Sequence, residues 1–261
     1  SGFYDYLKRV PSKTKLRKER ITKEIKKIHK ESYEIYGSPK ITEMLNKHGE
    51  KVSQKYVYSI MKENNIKAKY IKPYIQTTVS HDFSDKLKNL LNRHYNPIRP
   101  NVALCTDITY IWTYDDGFVY LTSVMDLFSR KIISWVLTKD MTAESVLEAI
   151  KIAQKRRNIR KPVIIHSDRG IQFTGELYKE ITEKMKRSYS KKACLWDNAC
   201  IESFHSLIKR EWLNQYKIQN YEDAYKLIFE YIETFYNTVR IHSHCNYQSP
   251  NQYEKSYVKS N

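Results

Sequence analysis

The sequence predicts an α/β protein: a mixed sheet flanked by helices, with a helical, basic region before it and a helical end after it. Three observations carry this. Residues 102–138 hold three strand-like runs with a hairpin signal between the first two. A helical pattern, a short apolar run and another helical pattern then follow, the order a strand–helix–strand crossover needs. Before residue 70, apolar residues recur at spacings of three and four in segments broken by Gly and Pro.

In chain order, residues 15–35 read as a basic amphipathic helix, with Leu16, Ile21, Ile25 and Ile28 at helical spacing. In "YGSPKITEML" (36–45), Ser38 suits a cap and Pro39 the first helical position. Ile41, Met44 and Leu45 share a face. His48-Gly49-Glu50 is a turn, and Ser53 caps a second short helix carrying Val57, Ile60 and Met61. Two short helices joined by a Gly turn, the second exposing Gln54, Lys55, Tyr56 and Tyr58, have the pattern of a helix-turn-helix. The alternative is a small three-helix bundle for protein contact. Residues 64–100 form a polar connector closed by Pro97 and Pro100, with a short helix expected at 83–92.

Strands are expected at 102–111, 118–127 and 130–138, with Asp115-Asp116-Gly117 as a hairpin turn. Thr142 caps a helix to about Ile152, with Val146, Leu147 and Ile150 inward. A short strand follows Pro162, and a helix is expected at 174–186. The organisation read from this is 1–70 basic and DNA-binding, 71–100 linker, 101–216 core and 217–261 helical extension.

Composition narrows the partners. The 261 residues carry a net charge of +17. Between Lys8 and Lys30, eleven Lys/Arg face only Glu19 and Glu24. Such a field favours a polyanion, nucleic acid above all. No run of about 18 apolar residues exists to span a bilayer, and no signal peptide is visible, so no membrane partner and a cytoplasmic location are expected. Cys105, Cys194, Cys200 and Cys245 form no Cys-x-x-Cys pair. The spacing of Cys194 and Cys200 is too wide for a usual zinc finger.

Three carboxylates stand out. Asp107 lies mid-strand among apolar and hydroxyl residues, where an unpaired charge is costly. Asp168 follows the fourth strand in "HSDRGIQF", where sites collect in α/β sheets. Glu202 lies in "CLWDNACIESFHSLIKREW". With Asp197 taken as the cap, Ile201, Phe204, Ile208 and Trp212 share an apolar side. Asn198, Glu202, His205, Ser206 and Lys209 share a polar one. Each acid also has an ordinary reading: an Arg partner, a turn, a solvated helix face. Converging carboxylates tolerate one another around a divalent cation. All-oxygen donors select magnesium or manganese, and beside a polyanion the natural chemistry is two-metal phosphoryl transfer.

"TDITYIW", "DLFSRKIISWVL", "HSDRGIQF" and "WDNACIESFHSLIKREW" resemble the integrase core of bacterial insertion-sequence transposases, most closely the second-frame product of the frameshifting group. "YGSPKITEML" with "VSQKYVYSIMKENNI" resembles that group's helix-turn-helix, "LNRHYNPIRPN" its linker, and "YIETFYNTVRIH" and "YQSPNQYE" its C-terminal end. The resemblance covers nearly the whole chain. It implies an RNase H-like (retroviral-integrase superfamily) fold and an Asp-Asp-Glu triad, here Asp107, Asp168 and Glu202. It also implies two magnesium ions, with manganese as a substitute. The implied activity is cleavage at terminal inverted repeats followed by strand transfer from the 3′-hydroxyl. The implied partners are end and target DNA and further copies of the chain, as a dimer or higher assembly on DNA within the bacterial nucleoid. Two departures stand out: 33 residues separate Asp168 from Glu202 where the group usually has 35, and Leu104 replaces a usual Trp.

Further candidates are Asn198 as a substrate or supporting residue and Lys55, Lys191, Lys192, Lys209, Arg210, Arg240 and His242 as DNA contacts. His166 reads as a core or supporting histidine, and Asp126 as a turn residue. The competing functions are a non-catalytic DNA-binding regulator or decayed transposase, and an RNase H-type nuclease, which shares the fold.

Overall fold

The computed structural model describes residues 12–69, 87–159, 162–191 and 195–260. The chain divides into two compact units, Ser1–Tyr70 and Ile71–Asn261.

The first unit holds three helices: α1 (Lys13–Glu31), α2 (Ser38–Lys47) and α3 (Gln54–Glu63). Ser12 caps α1 by accepting from the Lys15 N–H, and Ser53 caps α3 by accepting from the Tyr56 N–H. Ser38 is not the cap of α2; Gly37 holds that position in extended backbone, and Ser38 starts the helix with Pro39 beside it. Ile21, Ile25, Ile41, Leu45, Val57 and Ile60 are wholly buried. Each contributes about 1.5–3 kcal/mol of transfer free energy, so three short helices that are marginal alone hold together. Gly49 (φ +90°) turns the chain between α2 and α3 at a backbone conformation that disfavours other residues. Lys55 is exposed on α3.

In the second unit, β1 (Ala103–Thr113), β2 (Gly117–Asp126), β3 (Ile132–Thr138), β4 (Ile164–Ser167) and β5 (Lys186–Tyr189) form one sheet in the order β3-β2-β1-β4-β5. β1–β2 and β2–β3 are antiparallel; β1–β4 and β4–β5 are parallel. The expected helix at 174–186 is instead two short pieces, α5 (Ile171–Thr174) and α6 (Glu176–Ile181), broken at Gly175, whose backbone is extended. β5 follows, a strand not foreseen. Lys186 and Arg187 hide it in sequence, and its identity comes from pairing with β4. The described part of the helix expected at 83–92, residues 87–92, is not helical: it runs irregularly to a bend at 90–91 and a turn at 92; the rest lies outside the described residues.

α4 (Ala143–Arg157) covers one sheet face, burying Val146, Ala149 and Ile150 against Leu104, Val124, Ile133 and Ile165. The other face of β1 meets α7 (Ala199–Glu211), which buries Ile201, Phe204 and Ile208. The C-terminal part is helical: α8 (Tyr221–Phe229), a wider-wound continuation (Glu230–Tyr236) and α9 (Pro250–Ser260). Among the described residues no helix is long and apolar enough to cross a membrane.

Candidate active site

Strand alternation decides where Asp107 points. Leu104 joins the core under α4, so Cys105 and Asp107 face the α7 side. β4 pairs with β1 only at Ala103–Cys105, with Cys105 opposite His166. Two residues on from that pair, Asp107 stands on β1 and Asp168 in the loop just past the end of β4. Among the described residues no strand pairs with this edge of β1 past Cys105, and both carboxylates are half-buried there.

Asp168 is held by its own loop. Its Oδ1 accepts from the Gly170 N–H at 2.8 Å. A Cβ on Gly170 would stand 3.0 Å from that oxygen and 3.0 Å from Gln172 Oε1, so any larger residue would press both side-chain oxygens aside by a few tenths of an ångström. Lost hydration and then the charge of Asp107 push the Asp168 carboxyl up to about 6, against the pull of the Gly170 N–H.

Glu202 lies in the first turn of α7 and is exposed. Partial desolvation of its carboxyl, then the charges of Asp107 and Asp168, raise it to about 7. The three acids are thus close enough to oppose one another's ionisation. Among the described residues, no three His, Cys, Asp or Glu side chains stand arranged to hold a metal ion as they are. The donor chemistry still fits a hard divalent cation: three carboxylates, no sulfur, and a mutual repulsion that such a charge would relieve.

His205 is buried between α7 and the sheet. Its Nδ1 lies 3.4 Å from Asp107 Oδ2, and its Nε2 lies 3.3 Å from the Oγ of Ser123, the cross-strand partner of Asp107. Lys209, one turn further along α7, sits with Nζ 4.6 Å from the centre of the Tyr110 ring. Burial lowers its ammonium to about 8, while the charge of Asp107 raises it.

The start of α7 corrects the sequence reading. Asp197 is not the cap; Asn198 is. Asp197 lies in a 3-10 turn (Leu195–Asn198), almost wholly buried, because three donors claim its carboxylate. They are Asn89 Nδ2 at 2.7 Å, Arg93 Nε at 3.1 Å and the Lys191 N–H at 2.8 Å. Asn198 is buried too, and among the described residues neither of its amide atoms has a hydrogen-bond partner, so it does not lie on an open DNA-facing stripe.

The other candidates divide. Lys191 is exposed and Arg210 half-buried; Lys192 lies outside the described residues. Arg240 is no open phosphate contact: it is buried and meets Glu211 through Nε at 2.7 Å and an Nη at 2.6 Å, while Tyr231 donates to Glu211 at 2.8 Å. Pairing with a buried carboxylate consumes the charge. His242 is half-buried, edge-on to Tyr236 and 3.3 Å from an Arg240 nitrogen. His166 is a core residue between Ser188 Oγ (2.8 Å) and Ser190 Oγ (3.3 Å), and burial lowers it to about 4. Asp126 is a turn residue, accepting from the N–H groups of Asn101, Phe128 and Ser129. Cys105, Cys200 and Cys245 are free thiols.

Sequence reasoning missed the supports: Ser123, Gly170, the Asp197 clamp and Arg169. Arg169 turns from its neighbour Asp168 to hold the Ser190 carbonyl at 2.7 Å. Only Gly170 carried a sequence signal, a glycine two residues after a carboxylate that can accept its N–H.

Integrase core domain models match residues 97–220 and 202–257, and an HTH-like domain model matches residues 16–74. An uncharacterized 31 kDa protein of insertion element IS600 from Shigella sonnei is 33% identical over 259 residues, 98% of this chain and 95% of the relative. The transposase for insertion sequence element IS904 from Lactococcus lactis is 32% identical over 249 residues, 95% of this chain and 98% of the relative. In fold, the chain is similar to one in a cryoEM structure of a simian T-cell lymphotropic virus intasome in complex with PP2A regulatory subunit B56 gamma. The TM-score is 0.50 at 14% identity, over 88% of this chain and 74% of that one. The chain belongs to the family of insertion-sequence transposases, with an RNase H-like integrase core and an HTH-like N-terminal domain.

Proposed function

We propose that this chain cleaves DNA at the terminal inverted repeats of an insertion sequence and joins the freed 3′-hydroxyl to another phosphodiester. Asp107, Asp168 and Glu202 act as its metal-holding carboxylates. The observation that carries this is their convergence at the edge of β1, where lost hydration first and then one another's charge raise Asp168 to about 6 and Glu202 to about 7. Charge strain of this kind marks functional sites. A divalent cation of the magnesium type fits the oxygen donors, and two such ions, when bound, supply the Lewis acidity of phosphoryl transfer.

The chain's own residues do the rest. The Gly170 N–H holds one oxygen of Asp168 in place and favours its charged form. His205 braces Asp107 from the α7 side, and the buried Asp197 clamp fixes the turn from which α7 delivers Glu202. Lys191, Lys209 and Arg210 line the approach as phosphate contacts, and Lys55 on α3 meets the repeat. Further copies of the chain complete the assembly on paired DNA ends.

The test is to incubate the protein with duplexes carrying the element's own ends. Magnesium-dependent nicks bearing 3′-hydroxyls, followed by joined products, are expected. Tight binding with no product under any divalent metal would favour a non-catalytic regulator, and cutting confined to RNA–DNA hybrids would favour a nuclease.

A further inference from the structure

Beyond Asp107, the rest of β1 and the residue after it carry large side chains that the core does not use. Tyr110, Trp112 and Tyr114 are 42%, 55% and 58% exposed, and Phe118 on β2 is 46% exposed. They are ordered against one another. Phe118 meets Tyr110 edge-on at 5.2 Å and Trp112 edge-on at 4.9 Å. These four residues form one wall of a cleft of about 450 Å³. The facing wall is the end of α7 with Lys209 and Arg210, and the chain just after it. Cations lie against the rings: Lys209 over Tyr110 at 4.6 Å, and Lys217 over Tyr114 at 4.7 Å.

Exposed rings cost solvation and are kept where something stacks on them. Cations beside the rings, on a chain of net charge +17, attract a polyanion and repel a basic partner. Rings interleaved with Lys and Arg match unpaired nucleotides, whose bases stack on the rings while their phosphates meet the cations. Intact duplex hides its base faces and cannot use such a wall. The cleft borders the candidate active site along α7: Ser206, one turn after Glu202, and Lys209 both line it.

We propose that this cleft holds a short unpaired stretch of DNA beside the reacting phosphate, with bases on Tyr110, Trp112 and Phe118 and phosphates on Lys209 and Arg210. The proposal rests on the transposase reading for its choice of DNA. It implies that the strand is opened for a few nucleotides where it enters the site.

The test uses the full chain, a fluorescent single-stranded oligonucleotide and a duplex of the same sequence, titrated in calcium so that no chemistry intervenes. Trp112→Leu and Phe118→Leu alter exposed rings and leave the buried core intact. Each should weaken single-strand binding by about tenfold while duplex affinity changes less than about twofold. Iodouracil placed in the single strand should crosslink to Tyr110, Trp112 or Phe118. Unchanged single-strand affinity, crosslinks mapping elsewhere, or an altered oligomeric state with single-strand binding intact would overturn the proposal; the last would make the wall a contact between copies. Because this readout needs no catalysis, it separates from the transposase reading: loss of end joining in Glu202→Gln tests that reading, and ring-dependent binding tests this one.

Discussion

His205 Nδ1 lies 3.4 Å from Asp107 Oδ2, and the same imidazole reaches Ser123 on the neighbouring strand through Nε2. One side chain of α7 thus ties the helix bearing Glu202 to the strand bearing Asp107. Removing such a brace costs about 10–100-fold where it orients a metal-holding group. We expect His205→Ala to lower the rate of end joining within that range and to raise the magnesium concentration needed for half-maximal rate. His205→Gln, which keeps a polar atom near each partner, should recover part of both. An unchanged magnesium requirement in His205→Ala would show that the contact only packs.

Gly170 tests the loop. Gly170→Ala sets a methyl 3.0 Å from Asp168 Oδ1, so the carboxylate must move. Since the residue has φ −57°, alanine costs no backbone strain, and thermal stability should hold within a few degrees. Joining activity should fall by about tenfold or more, the scale expected for misplacing a reacting group. Wild-type rates in this variant would remove Asp168 from the site.

The raised carboxyls predict a pH signature. Asp168 and Glu202 titrate higher in the folded chain than in an unfolded one, so their contribution to stability is full below the ordinary carboxylate range. It is lost as pH rises through about 6 and about 7. Without divalent metal, the melting temperature of Glu202→Gln should therefore gain on that of the wild type between pH 5 and 8. Magnesium should stabilise the wild type more at pH 8 than at pH 6, because binding displaces protons. Scanning calorimetry across this range, with and without the metal, reads both; parallel curves would contradict the coupling.

Arg240 separates a structural charge from a DNA contact. Its partner Glu211 is buried with it, so Arg240→Ala strands a carboxylate and should cost about 3–5 kcal/mol in denaturant unfolding. DNA affinity of the folded fraction should not change. A salt-dependent loss of affinity at full stability would restore the phosphate role.

Much of this architecture was legible in sequence because periodicity is local. The three long strands, α4 and the apolar side of α7 follow from side-chain alternation and spacing alone. Asp107 and Asp168 were found because a carboxylate in or just after a buried strand is conspicuous. β5 was not legible, since Lys186 and Arg187 belong to a strand only through β4. Asp197 looked like a cap because capping is the nearest use for an Asp before a helix. Its real donors include Asn89 and Arg93, about a hundred residues away in sequence. Arg240 was misread for the same reason: its partner Glu211 is invisible until the chain folds.

The central claim is that Asp107, Asp168 and Glu202 act together in strand cleavage and joining. The most direct measurement is the yield of magnesium-dependent joined product from Glu202→Gln on end DNA, alongside binding of the same DNA. Binding equal to the wild type with product reduced to background is the predicted result. Product formed at a rate near the wild type would contradict it.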